Sequence, residues 1–128
     1  MKLIPLLFVM LLVLAACTPS PSPYIYTIDV QTAQARIAQD AVLILDVRTQ
    51  GEFASGHIPN AIHIPYHVLA TYAQGAFPDM QQPILVYCQS GRRSLIAADT
   101  LQALGYYFIY NLSGGIQQWD GTLQAPVE

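Results

Sequence analysis

A chain of 128 residues has room for one compact domain, and its formal net charge of −3 leaves it without the basic surface that phosphate backbones require. Nucleic acid is therefore excluded as a partner. Its two cysteines, Cys17 and Cys88, lie in regions of very different character.

Lys2 is followed by the nearly unbroken apolar run Leu3 to Ala16, which reads as the charged and hydrophobic parts of an export signal. A spanning helix needs about 20 apolar residues, and this run stops at Cys17, before Thr18-Pro19-Ser20-Pro21-Ser22-Pro23. Leu14-Ala15-Ala16-Cys17 resembles the lipobox of bacterial lipoprotein signals. That resemblance implies removal of residues 1–16 and lipidation of Cys17 on its sulfur and its new amine. Residues 17–23 then form a lipid-bearing, proline- and serine-rich extended tether, and residues 24–128 form the domain. Each buried methylene contributes about 0.8 kcal/mol, so several acyl chains make a stable membrane anchor. The expected location is the cell envelope, facing the periplasm; Thr18 in place of aspartate implies the outer membrane for a Gram-negative source. Loss of Lys2 leaves four arginines against eight acids, a charge of −4. With Cys17 lipidated, Cys88 is the only thiol left, and no disulfide can form within the chain.

Tyr24 to Ile28 reads as an opening strand. Asp29 is a candidate N-cap for a helix over Val30 to Gln39, with Val30, Ala33, Ile37 and Ala41 inward. Ala41 to Leu45 is a continuous apolar run, as expected of a strand buried on both faces, and Asp46-Val47-Arg48 closes it. A short strand fits Ala61 to Ile64, a helix Tyr66 to Ala73, and a loop Gly75 to Pro83. Ile84 to Tyr87 is another strand without alternation. Ser94 to Leu104 carries Leu95, Ala98, Leu101 and Leu104 at helical spacing and stops at Gly105. Tyr107 to Tyr110 reads as the last strand, Ser113-Gly114-Gly115 opens a short helix that includes Trp119, and Leu123 to Glu128 is a surface tail. Buried strands separated by helices predict an α/β fold, a three-layer sandwich with a mainly parallel central sheet. Ligands in such sheets sit at the carboxyl ends of the strands.

Cys88 lies at such an end, on the strand-to-helix loop Cys88-Gln89-Ser90-Gly91-Arg92-Arg93-Ser94. Unpartnered N–H groups and the dipole of the following helix favour thiolate there. A free cysteine is only about 3% thiolate at pH 7, whereas a pKa near 6.5 would make it about 75%. Gly91 supplies the backbone freedom for the N–H groups to converge, and Arg92 and Arg93 add positive charge.

Leu45-Asp46-Val47-Arg48 with Glu52 and Gly56-His57-Ile58-Pro59-Asn60-Ala61 resembles the first signature of rhodanese-like domains. Val86-Tyr87-Cys88 with the loop through Arg93 resembles their active site, and Asn111-Leu112-Ser113-Gly114-Gly115 with Trp119 their C-terminal signature. The resemblance covers residues 24 to 128. It implies a rhodanese-like fold and a thiosulfate sulfurtransferase-like enzyme that needs no cofactor. A sulfane sulfur passes from an anionic donor such as thiosulfate to Cys88, and from the persulfide to a thiol or cyanide-type acceptor. Cys88 is then the nucleophile. Gln89, Ser90, Gly91, Arg92 and Arg93 bind substrate through loop N–H groups and through one or other arginine.

Related cysteine phosphatases place one residue more between cysteine and arginine, which puts Ser94 where their arginine would stand. The tighter loop suits a sulfur atom better than phosphate or arsenate. A noncatalytic binding or persulfide-carrier module would use the same cysteine, whereas a thiol redox protein would want a resolving cysteine that this chain lacks. Asp46 and Arg48 either support the loop or form structural ion pairs, for instance Arg48 with Glu52. Asn60, where the family commonly has glycine, tolerates a left-handed turn. His57 reads as a turn or packing residue. With His63 and His67 it has no recognisable metal-ligand spacing, so no metal is expected.

Overall fold

The computed structural model describes residues 24–125. The expected signal, Cys17, the tether and residues 126–128 of the tail lie outside the described residues. In chain order the elements are β1 (Tyr24–Ile28), α1 (Val30–Ala38), β2 (Leu43–Asp46), α2 (Gln50–Ala54), β3 (Ile62–His63) and a 3-10 turn (Tyr66–Val68). They continue with α3 (Leu69–Ala76), β4 (Ile84–Tyr87), α4 (Arg92–Leu104), β5 (Phe108–Leu112) and a second 3-10 turn (Gly115–Gln118). The strands form one sheet in the order β1-β5-β4-β2-β3, every neighbouring pair parallel.

Two apolar layers fill the space on either side of that sheet. Leu69, Ala73 and Phe77 of the α3 region and Ala97, Ala98 and Leu101 of α4 pack with Leu45, Ile84, Val86 and Ile109 on one face. Ala33 of α1 and Ile58 pack with Ile44, Leu85, Tyr87 and Leu112 on the other. Strand side chains alternate between faces, so β4 sends Ile84 and Val86 one way and Leu85 and Tyr87 the other, and both faces are covered. That is why its sequence is apolar throughout. The three-layer α/β architecture is the one expected.

Several elements differ from the sequence reading. A short helix, α2, occupies Gln50–Ala54; Thr49 caps it and forms a reciprocal capping box with Glu52. Tyr66 to Ala73 is a 3-10 turn followed by α3, which runs on to Ala76, into the expected loop. β3 is only Ile62–His63; the Ile64 N–H still donates to the Asp46 carbonyl, and Pro65, which has no N–H, follows it and opens the 3-10 turn. The last strand runs Phe108–Leu112, β2 starts at Leu43, and the final turn ends before Trp119. Helix α4 starts at Arg92 rather than Ser94, since Gly91 caps it in the left-handed region at φ 104°. The inward stripe of α4 is Ser94, Ala97, Ala98 and Leu101; Leu95, counted with Ala98, Leu101 and Leu104 at helical spacing, is 45% exposed.

Candidate active site

The carboxyl ends of β2 and β4 are in register, Asp46 beside Tyr87, and each strand leads into a functional-looking loop. From β4 the chain enters Cys88, only 1% exposed. The N–H of Gly91 donates to its Sγ at 3.1 Å, and the Ser94 hydroxyl lies 3.4 Å from the same sulfur. In the thiol form the Cys88 S–H donates to Ser94 Oγ, whose own proton goes to the Gly91 carbonyl at 3.0 Å; facing a thiolate, that one proton can turn to the sulfur instead. Burial pushes the Cys88 thiol up, but the Ser94 hydroxyl and the N–H groups of Ser94, Gly91 and Ser90 outweigh burial and hold it below the ordinary thiol range.

The expected donors Gln89 to Arg93 thus resolve into Ser90 and Gly91, joined by Ser94, which the sequence reading placed only as the residue standing in for a phosphatase arginine. Its signal was its position: with α4 beginning at Arg92, the third helical residue turns back beneath the loop. Gln89 acts in the opposite sense. Its carbonyl accepts from the N–H of Gln117 at 3.2 Å, and the Cys88 carbonyl accepts from Ile116 at 2.9 Å. The second 3-10 turn therefore holds two loop carbonyls on the side away from the sulfur, while the amides face it. Gly115 makes this approach possible: it has φ 65°, and a Cβ there would stand 2.5 Å from the Gln89 carbonyl oxygen.

The two arginines of the loop have separate fates. Arg93 Nη1 and Nη2 donate to Glu52 Oε1 and Oε2 at 2.7 and 2.9 Å, a two-pronged pair. The Arg93 guanidinium beside it holds the Glu52 carboxyl at about 2. Glu52 also accepts from the Thr49 N–H, so the start of α2 is fastened to the start of α4. Arg92 is exposed and makes no ion pair among the described residues.

Asp46 and Arg48 form the pair at the end of β2. Arg48 Nη2 donates to Asp46 Oδ2 at 2.7 Å, with side chains 3% and 0% exposed. A further bond reaches the Gly56 carbonyl at 2.8 Å. The expected Arg48–Glu52 pairing is overturned: Glu52 faces Arg93, and Arg48 turns inward to Asp46. Through the Gly56 carbonyl the Asp46–Arg48 pair braces the turn after α2, and the Arg48 guanidinium also lies 5.6 Å from the ring of Tyr87, the residue before Cys88. Asn60 adopts φ 66°, as expected of it. Phe53 is sandwiched between His57 and His63, at ring-centroid distances of 3.7 and 4.5 Å. His57 Nδ1 lies 3.0 Å from the Phe53 carbonyl and His63 Nε2 lies 2.8 Å from the Arg48 carbonyl, and as N–H groups both would donate to them. These two histidines are packing residues of that turn.

The rhodanese-like domain pattern matches residues 29–122, which takes in α1 through the second 3-10 turn and every residue just described. The chain belongs to the rhodanese-like domain family. It is 37% identical over 92 residues to the thiosulfate sulfurtransferase GlpE of Pseudomonas savastanoi, covering 72% of this chain and 84% of that protein. A sulfurtransferase of Allochromatium vinosum is 37% identical over 93 residues, covering 72% and 85%. Among solved structures, a rhodanese-like domain protein from Staphylococcus aureus superposes with a TM-score of 0.71 at 29% identity, covering 80% of this chain and 99% of that one. The human single-domain sulfurtransferase TSTD1 does so with a TM-score of 0.68 at 25% identity, covering 80% and 99%. The domain is thus of the rhodanese-like sulfurtransferase family, and the turn that follows the Gly114-Gly115 pair of its C-terminal signature clamps the Cys88 loop through the Ile116 and Gln117 N–H groups.

Proposed function

We propose that this protein moves sulfane sulfur through a persulfide on Cys88, and that Cys17 tethers it to a membrane of the cell envelope. The observation that carries the first part is the convergence of the Gly91 N–H and the Ser94 hydroxyl on a buried sulfur. With thiosulfate, the Cys88 thiolate attacks the outer sulfur. One S–S bond forms, the S–S bond of the donor breaks, and its electron pair leaves with sulfite. The persulfide anion keeps the negative charge, and the same amides and hydroxyl stabilise it in place of the thiolate. A thiol or cyanide-type acceptor then attacks the terminal sulfur and regenerates Cys88 thiolate. In this reading Ser90, Gly91 and Ser94 bind the reacting sulfur, Arg92 draws in the donor anion, and Arg93 positions the loop through Glu52. Phosphate or arsenate chemistry is disfavoured, because Ser94 stands in the arginine position and Arg93 is engaged by Glu52.

The test is the mass of the intact full-length protein after incubation with thiosulfate and with other sulfane donors. One added sulfur on Cys88, absent in Cys88→Ser, is expected; no increment with any donor would sink the reading. Turnover with a small thiol acceptor distinguishes an enzyme from a carrier that discharges only to a docked partner. For the anchor, Cys17→Ala is expected to abolish incorporation of labelled fatty acid and to release the protein from the membrane fraction. Labelling that persists in Cys17→Ala would refute it.

A further inference from the structure

β1 forms an outer edge of the sheet, paired only with β5 among the described strands. Its side chains alternate between faces. Ile25 packs with the layer that holds α3 and α4, whereas Tyr24 and Tyr26 stand on the α1 side, 59% and 45% exposed. The Tyr24 and Tyr26 rings stack at 5.7 Å, Tyr26 stacks on Tyr110 at 5.5 Å, and the Arg36 guanidinium covers Tyr110 at 4.2 Å. Among the described residues Arg36 has no ion pair, and its buried Nε has no hydrogen-bond partner. The result is a ladder of aromatic rings, open to solvent at one end and closed by an uncompensated cation at the other. Rings with apolar bodies and polar hydroxyls, beside a guanidinium, suit the boundary between lipid and water. There the rings meet acyl chains, and the polar groups meet headgroups.

The ladder begins at the amino end of the parallel sheet, opposite the Cys88 loop. Tyr24 pairs with Phe108 and Ile28 with Leu112, levels about 13 Å apart along the strands. β4 reaches Asn111 through Val86, so Cys88 lies beyond the level of Ile28. Only Thr18 to Pro23 separate Cys17 from Tyr24, and that stretch spans at most about 25 Å, less than the diameter of about 30 Å of a small domain. A second copy of the chain seated symmetrically on the ladder would bring two Arg36 cations to one interface, whereas a lipid phosphate supplies the missing counter-charge. Resting on the reading that Cys17 carries the lipids, we infer that Tyr24, Tyr26, Tyr110 and Arg36 seat the domain on the headgroup layer of the bilayer that holds its anchor. That seat turns the carboxyl ends of the strands away from the membrane. The mouth of the Cys88 loop, where Arg92 stands, then opens to the aqueous phase, and its sulfur donor and acceptor are water-borne rather than drawn from the bilayer.

The test uses the full-length protein, matured in bacterial cells and reconstituted into vesicles of phosphatidylethanolamine and phosphatidylglycerol that include a lipid with a photoreactive headgroup. Adducts are mapped along the chain by mass spectrometry. Covering about 60 Å² of apolar ring surface biases orientation about tenfold, so adducts on residues 24–40 are expected at about ten times their level on residues 88–96, falling to within about twofold in Tyr24→Ser/Tyr26→Ser. Duplicating Thr18 to Pro23 leaves the domain untouched and is expected to keep the bias, which separates adhesion of the ladder from a short leash. That arm decides alone if the double substitution unfolds the domain. Even labelling of a lipidated chain, a bias that survives in the folded double variant, or a bias lost on duplication overturns this inference alone. A dimer that the tyrosine substitutions dissolve gives the ladder to a second copy and overturns it as well. A mature chain without acyl groups overturns the tether reading and this inference with it.

Discussion

The loops after β2 and β4 leave adjacent parallel strands at the same end of the sheet, yet they treat charge in opposite ways. After β2, Asp46 and Arg48 answer one another in full burial and the guanidinium has a second acceptor in the Gly56 carbonyl. After β4, the sulfur of Cys88 is held by neutral donors, the Gly91 N–H and the Ser94 hydroxyl, and the nearest free cation, Arg92, points into solvent. A closed ion pair fixes geometry and has nothing left to offer a ligand. The thiolate is held chiefly by dipoles, and the Arg93 guanidinium, already paired with Glu52, acts on it only as a further electrostatic contribution. The fold thus places a brace and a reactive centre side by side.

Breaking the closed corner should have the largest effect on stability. Asp46→Ala strands a buried guanidinium and is expected to cost about 3–5 kcal/mol in denaturant unfolding, with no change in the pH midpoint of Cys88 alkylation in the folded protein. Glu52→Gln tests the strap between the corners. Glu52 titrates at about 2 in the folded protein against an ordinary 4.5. The stabilisation it gives is therefore complete above about pH 4.5 and is lost as pH falls from there toward 2. The substitution should cost about 1 kcal/mol at neutral pH and flatten that part of the stability profile. At the open corner, Ser94→Ala should shift the alkylation midpoint of Cys88 to higher pH, as burial regains its hold, with about 1 kcal/mol or less lost in stability. Arg92→Gln should leave stability within about 0.5 kcal/mol and raise KM for every anionic donor. An unchanged KM would take Arg92 out of the mouth.

The parts of this arrangement that were legible in the sequence are those written in local patterns. The apolar runs that became β2 and β4, the Asp29 cap of α1 and the Gly105 stop of α4 each follow from a few consecutive residues. Helix α2 was missed because five residues show no periodicity, although its capping box, Thr49 with Glu52, was visible. Leu95 was grouped with Ala98, Leu101 and Leu104 by steps of three, but at about 100° per residue each such step drifts by about 60°, which carries Leu95 off the buried stripe of Ser94, Ala97, Ala98 and Leu101. The charge pairing was misassigned for another reason: proximity in sequence favoured Arg48 with Glu52, whereas the fold joins Glu52 to Arg93, 41 residues away. Motif order located the Cys88 loop, but not which of its two arginines is free.

Gly115 meets the Cys88 and Gln89 carbonyls from the far side of a complete strand and helix. A chain emerging N-terminus first therefore presents Cys88 long before the turn that aims its amides exists. Until residues 115–117 dock, the thiol lacks that clamp and has the ordinary chemistry of an unfolded cysteine. The full lowering of the Cys88 thiol is therefore expected only once that turn has docked behind the loop.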